Sequence, residues 1–382
     1  MKKILLFNPY FYPGYQAGGP VQSLIHLIER MGQEYRFAMV TSAFDLGEQQ
    51  PYAVVQPDTW QDMVLNGVTV QVWYAQQSLT PPAVRQCIAE QQPDIIYLNG
   101  MYGMPWFIWP LVWHRLGKTG AAQILVCPRG MLQPGALAVK SLRKKLYLTA
   151  LRWSGLCKHI RWHATTPGEA IDIKKIMGTS IDVRVAANIP KLPVTHWEPP
   201  AKEAGTLRLV YLSLITEKKN LFFLLQSLQY CRHTIQLDIW GPVVDRAYWQ
   251  QCEQWIPRLP VQIQVQYKGT VVPQQVQSTL AQYDAMVLLT KGENFGHAIY
   301  ESFSAARPVL ISTFTPWQDL EAKQAGWNMA ITDTKAIAQQ IDRLAAMQAT
   351  DWATYCAGAY ALAMANLEQA NVATAYRQLF DR

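Results

Sequence analysis

The sequence predicts an α/β protein of two doubly wound domains, each a parallel sheet covered by helices on both faces, and three observations carry that prediction. Its 382 residues exceed what one hydrophobic core usually organises. Short apolar runs alternate with helical patterns along the chain, the rhythm of parallel strands joined by crossover helices. That rhythm stops once, across residues 190–205, where four prolines, a glycine and few apolar residues stand together, and then restarts.

Taken in order, residues 4–7, 37–41, 68–73, 95–98 and 124–127 read as strands of the first domain, with helices over 21–31 and 82–91. Residues 207–212, 236–239, 261–267, 285–289 and 309–312 are the strands of the second. The expected organisation is a first domain over 1–189, a connection over 190–206 and a second domain over 207–350. Terminal helices over 351–382, with Trp352, Tyr355, Tyr360, Leu362 and Leu367 on their faces, are expected to pack back on the first domain. The opening apolar run is ended by Asn8 and Pro9 far short of a leader and reads as a buried strand. Residues 104–113, the longest apolar stretch, are broken by Pro105 and Pro110, so no membrane span is expected.

Half the residues are hydrophobic, 16% are charged and fourteen are Trp, which excludes a disordered chain. The formal net charge of +7 suits an anionic partner, whether a nucleotide diphosphate, a membrane face or nucleic acid, without choosing among them. The six cysteines form no C-x-x-C pair and no Cys/His cluster, so they read as reduced core residues of a cytoplasmic protein.

The most informative chemistry lies in residues 291–308. An apolar strand ends near Thr290 and a helix opens near Phe295, so the amides of Phe295, Gly296 and His297 are expected to be unpaired and to face an anion. Gly296 lets a phosphate approach the backbone. Glu293 stands in the loop and Glu301 two turns into the helix, and two such carboxylates suit sugar hydroxyls and a ribose. Spacing alone leaves open that Glu293 is a helix-start acid and Glu301 a solvated one. The strand over 308–312 follows at the distance a doubly wound sheet requires.

Here the sequence resembles glycosyltransferase family 4, a large retaining family with the GT-B fold, whose signature is a strand, then E-x7-E entering a helix, then a PV(I/L)xS strand. Glu293, Glu301 and the run Pro308, Val309, Leu310, Ile311, Ser312 reproduce it. The resemblance extends over nearly the whole chain. It implies two Rossmann-like domains facing a central cleft, Glu293 on the donor-sugar hydroxyls, Phe295 and Gly296 amides facing the donor, and Glu301 on the ribose. His297 is placed near the donor phosphate or sugar.

Other segments match in the expected order. Residues 212–221 resemble the family's basic loop S-R-I-x-x-K-K-N-L, which assigns the diphosphate to Lys219, with Lys218 beside it, although Leu214 stands where the family has arginine. A guanidinium binds two phosphate oxygens at once and leucine binds none; Lys218, Arg129 and Lys291 are the candidates to substitute. Gly18 and Gly19 permit a tight turn before a helix and resemble the family's N-terminal glycine loop, which closes on the donor; the pattern is not G-x-G-x-x-G, so no nicotinamide cofactor is expected. Asn99 occupies a position that is often histidine, where it can hydrogen-bond a sugar but carry no proton. Residues 127–145 resemble a stretch of members that build bacterial polysaccharides. There Arg129 could meet a phosphate, and Lys140, Arg143, Lys144 and Lys145, with Leu142, Leu146 and Leu148, form either a solvated basic face or one that lies on an anionic membrane. Trp106, Trp109 and Trp113 read first as core, and His163 as a structural histidine.

The resemblance implies a hexosyltransferase-type, retaining enzyme that takes a nucleotide-diphosphate sugar and needs no metal. Its acceptor is a glycan or polyprenyl-linked saccharide, and the setting is cytoplasmic with peripheral contact at the inner face of the cytoplasmic membrane. A nucleotide-sugar epimerase of the same fold, or a binding protein that has lost catalysis, are the alternatives. Only charge suggests nucleic acid, and none is expected as a partner.

Overall fold

A computed structural model describes residues 1–138, 141–199, 201–369 and 372–381. The chain divides into two compact units, one of Met1–Ile189 with the residues from 370 onward, the other of Pro190–Gln369.

The first unit holds strands β1 (Lys3–Phe7), β2 (Arg36–Ser42), β3 (Trp60–Leu65), β4 (Val68–Ala75), β5 (Ile95–Asn99), β6 (Gln123–Cys127), β7 (Arg161–Ala164) and β8 (Asp182–Val185), in the sheet order β3-β4-β2-β1-β5-β6-β7-β8. All neighbours are parallel except β3 and β4. β5 is buried at every residue because helices cover both faces. Alternation along β1 divides the core: Ile4 and Leu6 join Leu24, Ile28 and Phe380 on one face, while Leu5 and Phe7 join Val84, Ile88 and Leu111 on the other.

Three strands of this sheet lie outside the sequence expectations. β3 and β4 form a hairpin with Leu65 opposite Val68, turned by Asn66 and Gly67 at φ 45° and 84°. Asn-Gly is the usual sequence of such a two-residue turn, which requires positive φ twice. β7 and β8 are four residues each and mix charged with apolar side chains, so neither forms an apolar run.

The second unit holds β9 (Thr206–Leu212), β10 (Thr234–Trp240), β11 (Ile263–Gly269), β12 (Ala285–Leu288), β13 (Val309–Ser312) and β14 (Gly326–Met329), all parallel, in the order β11-β10-β9-β12-β13-β14. Counted within the unit this is 3-2-1-4-5-6, the Rossmann order, which reverses direction between β9 and β12. β11 starts at Ile263 rather than 261, since Val261 is 96% exposed and pairs with nothing in the sheet. β14, only four residues, was not expected.

The connecting stretch packs on the second unit. Val194 N–H bonds Ser304 O at 3.2 Å, and the buried Arg307 guanidinium donates to Glu198 O at 3.1 Å and Ala281 O at 2.6 Å. The two terminal helices part company. Ala349–Gln369 belongs to the second unit, burying Trp352, Cys356 and Ala359. Val372–Asp381 belongs to the first, where Arg377 holds Glu34 with two bonds of 2.7 Å and Tyr35 O–H donates to Asp381 at 2.8 Å.

All six cysteines are unpaired, five of them buried and Cys157 half-buried. No helix among the described residues is long and apolar enough to cross a membrane.

Candidate active site

Where a doubly wound sheet reverses direction, the loops leaving the two central strands diverge and open a crevice at their carboxyl ends. In the second unit those loops follow β9 and β12, and they carry the two motifs singled out in the sequence. Backbone and buried side chains bind them together. Lys291 N–H donates to Lys218 O at 2.8 Å, the Thr290 hydroxyl lies 3.2 Å from the same carbonyl, and the Asn220 amide donates to Leu289 O at 2.9 Å. The Ser312 hydroxyl at the end of β13 donates to Thr290 O at 2.6 Å. Asn220 takes a left-handed φ of 60° to end the short turn Glu217–Lys219 and begin the helix Leu221–Leu228, a conformation asparagine tolerates better than most residues. Gly241, after β10, supports the first loop from beneath: a Cβ there would lie 1.9 Å from Ser213 O.

The charged groups meet on this platform. Lys219 and Glu293 form an ion pair, with side chains only 17% and 11% exposed. Lys291 points outward to Glu217 at 2.8 Å, and the Lys218 stem runs past Gly292.

Gly296 adopts φ 77° ahead of the helix His297–Ser304, and no side chain caps that helix. Its first internal hydrogen bond is Tyr300 N–H to Gly296 O at 3.0 Å, so the amides of the preceding turn have no carbonyl within the helix to bond, the arrangement that suits an anion. The helix begins at His297, two residues later than expected, because Phe295 is pinned outside it: the Trp317 indole donates to Phe295 O at 2.6 Å and packs edge-on against its ring. Glu301, one turn in, is half-buried; its carbonyl accepts from Ala305 N–H at 3.0 Å, which leaves the carboxylate to a ligand. Burial pushes its carboxyl up to about 7, with Lys191 partly offsetting the shift.

The first unit reverses between β1 and β5, and there the structure brings together groups the sequence kept apart. Asn99 is buried; its amide donates to Asn8 Oδ1 at 2.9 Å, and its oxygen accepts from Arg129 Nε at 2.6 Å. Arg129 also donates to Asn188 Oδ1 and, at 3.3 Å, to the Tyr97 hydroxyl. Tyr97 donates in turn to His163 Nδ1 at 2.8 Å, while His163 Nε2–H donates to Ala186 O at 2.7 Å. Burial, with Arg129 nearby, holds His163 down at about 3, so it is a neutral structural residue. Gly18, at φ 71°, precedes the uncapped helix Gly19–Met31, and the Asp45 carboxylate fixes the loop by accepting from Tyr15 and Gln16 N–H at 2.9 and 3.2 Å.

Of the basic segment, Lys140 lies outside the described residues. Arg143 and Lys145 are exposed on the helix Ser141–Trp153, and Lys144 donates to Ala136 O. Leu148 is buried and does not share the exposed face of Leu142 and Leu146, contrary to expectation. Trp106, Trp109 and Trp113 pack against the first unit's core, with the Trp113 indole donating to Pro81 O at 2.9 Å. Sequence reasoning missed Asn8, Asn188, Asn220, Asp45 and Lys191. The asparagines at the strand and turn ends were the available signal, since asparagine at such positions commonly satisfies neighbouring backbone or side chains.

Residues 206–347 match the family model described as glycosyl transferases group 1. No match was found among curated proteins. Among solved structures the chain is similar to HepE of Anabaena in complex with UDP and glucose (TM-score 0.72, 16% identity, covering 100% of this chain and 99% of that one). It is similar also to the sucrose-phosphate synthase of Thermosynechococcus elongatus (0.75, 15%, 100% of both chains) and to WaaG, a glycosyltransferase involved in lipopolysaccharide biosynthesis (0.68, 13%, 98% of both). At these identities the likeness shows the fold, which is GT-B.

Proposed function

We propose that this chain, whose residues 206–347 are a group 1 glycosyltransferase domain, moves a hexose from a nucleotide-diphosphate sugar to a glycan or polyprenyl-linked acceptor with retention of anomeric configuration. One observation carries the reading: the uncapped helix start at Gly296 and the Lys219–Glu293 pair stand on loops that leave the two strands at the reversal of a 3-2-1-4-5-6 sheet. A diphosphate arriving at those amides draws Lys219 away from Glu293, and the carboxylate so released accepts from the donor sugar's hydroxyls. Glu301 accepts from the ribose hydroxyls, and His297 and Lys218 line the same loops.

In the transfer step the bond from the anomeric carbon to the diphosphate oxygen breaks as the acceptor oxygen bonds the same face, and the acceptor's proton passes to the departing phosphate. The protein therefore needs no side-chain nucleophile and no metal; it supplies positive charge and fixed dipoles where charge develops. In the first unit, Asn99 is buried and bonded to Asn8 and Arg129, so it orders that unit's loops rather than meeting a sugar, and Gly18 and Gly19 keep the reading of a donor loop. WaaG's part in lipopolysaccharide assembly supports a surface-polysaccharide acceptor handled at the inner face of the cytoplasmic membrane.

HepE was solved with UDP-glucose, which makes that donor the first to test. Titration calorimetry should detect its binding, and incubation with oligosaccharide or lipid-linked acceptors should yield a product whose anomeric proton coupling shows retention. Conversion of the donor sugar without any acceptor would replace this reading with the epimerase. Donor binding without turnover on any acceptor would replace it with the inactive binding protein, the outcome that Leu214 in place of arginine favours.

A further inference from the structure

We propose that the edge strand β11 pairs antiparallel with β11 of a second copy of this chain, joining two second-unit sheets across a two-fold axis. The second unit's sheet ends on β11, whose neighbour is β10 alone. Register decides which of its backbone groups that neighbour uses. Ile263 lies opposite Ile235, and Ile235 N–H donates to Gln262 O at 3.1 Å. A parallel ladder takes alternate residues, so Gln264 and Gln266 bond β10 while Val265 and Tyr267 turn their N–H and C=O groups outward. Neither of these two residues bonds the backbone of any other described residue.

Such an edge is an open template, and proteins usually blunt it by shortness or charge. The other edges in this chain are blunted: β8 and β14 have four residues each, β8 carries Asp182 and Arg184, and β3 carries Asp62. β11 has seven residues and one charge, Lys268, whose ammonium is turned to Asp238 at 3.6 Å and to Gln266 Oε1 at 2.7 Å. Gln264, Gln266 and Tyr267 are exposed along it.

The strand's own pattern selects a second copy as the partner. An axis at Gln266 sets Val265 opposite Tyr267 of the second copy, and Tyr267 opposite its Val265. These residues then exchange N–H to C=O bonds, so every outward group of that stretch is satisfied, and a β-branched side chain beside an aromatic is a favourable cross-strand pair. On the other face Gln266 meets its own copy and Gln264 meets Lys268, so no like charges oppose each other. Continued one step beyond the strand at each end, the same register brings Val261, 96% exposed, against the half-buried Val271 of the second copy. The interface goes beyond the transfer reading and needs none of it, since association is measured without donor or acceptor.

The test is sedimentation equilibrium of the full chain from about 1 to 300 μM at low salt. An edge pair buries less than a standard interface, so a monomer–dimer equilibrium with a dissociation constant of roughly 1–100 μM is expected. Val265→Pro removes an outward N–H and leaves the β10 ladder intact, so it should weaken the dimer at least ~10-fold while circular dichroism shows a folded chain. Gln266→Lys gathers like charges at the axis and should weaken it by a similar factor. Mixed with an equal amount of Gln266→Glu, the lysine variant should dimerise again, because only an axis at Gln266 places the two new side chains face to face. A dimer that Val265→Pro and Gln266→Lys leave at wild-type affinity, or a mixture no tighter than the lysine variant alone, would overturn the proposal. So would a chain monomeric across the whole range, which would leave the edge to an extended segment of another protein.

Discussion

Glu301 gives the sharpest test, because its effects on stability and on ligand binding have opposite signs. Its folded value of about 7 lies above the ordinary 4.5, and burial is the cause. A carboxyl raised in this way costs folding nothing below pH 4.5, and the cost grows until it is complete above pH 7. The displacement corresponds to about 3 kcal/mol at most, and solvent reaching a half-buried group brings the expectation nearer 1–2 kcal/mol. Glu301→Gln cannot ionise, so the ligand-free variant should melt about 2–6 °C above wild type at pH 8 and level with it at pH 4. Donor binding should move the other way. If the carboxylate accepts from ribose hydroxyls it must be ionised, so wild-type affinity for a nucleotide sugar, whose diphosphate loses no proton in this range, should fall about tenfold from pH 8 to pH 6. The variant should bind weakly and without that slope. Scanning fluorimetry reads the first effect and calorimetry the second. A Gln variant that melts lower at pH 8, or that binds donor as tightly as wild type with the same pH slope, refutes the assignment.

Lys219→Ala should lower kcat by about 10²–10³ with a smaller change in KM, read by initial rates, because its charge serves the departing diphosphate more than the bound donor. Lys219→Ala with Glu293→Gln should recover stability, but not rate, relative to Lys219→Ala alone, since the single change strands a buried carboxylate; denaturant melts separate the two. Gly241→Ala puts a Cβ 1.9 Å from Ser213 O, so it should destabilise by about 2 kcal/mol or more or displace the loop and abolish nucleotide binding, both visible in one melt series with and without ligand. Lys218→Ala should weaken donor binding by about tenfold, whereas Lys291→Ala, whose ammonium faces Glu217 in solvent, should change it less than threefold by calorimetry.

Sequence revealed those parts of the fold whose physics is local and doubled. Strands β1, β5, β9 and β12 are buried on both faces, so each is an apolar run that cannot be taken for a loop. Edge strands give no such signal: β8 is half-solvated, and β14 is held by its partner β13 more than by its own composition. The hairpin was legible in Asn66 and Gly67, but β3 alternates too weakly to draw attention to it. At the candidate site, Gly296, Glu293, Glu301 and Lys219 could be read because their motif sits between recognisable strands. The polar chain from Asn8 through Asn99 and Arg129 to Asn188 could not, since it joins a strand end and three loops far apart in sequence.

That chain bears on the departure at Leu214. Three cations were available in principle to replace a guanidinium at the diphosphate. Arg129 is committed within the first unit, where its three nitrogens hold Asn99, Asn188 and Tyr97; withdrawing it would leave buried asparagine and tyrosine oxygens unmatched, at about 1–3 kcal/mol each. Lys291 is turned to the surface by Glu217. Lys218 is the one whose stem follows the donor loop at Gly292, and its carbonyl is already the acceptor that joins that loop to the strand β9 side. A lysine there gives a point charge without the two-pronged geometry of arginine, so under the proposed function donor binding would depend more heavily on the helix amides at Gly296. The left-handed conformation that Gly296 adopts without strain, the helix start without a side-chain cap and the Trp317 bond that pins Phe295 are the features that set this turn before any ligand arrives.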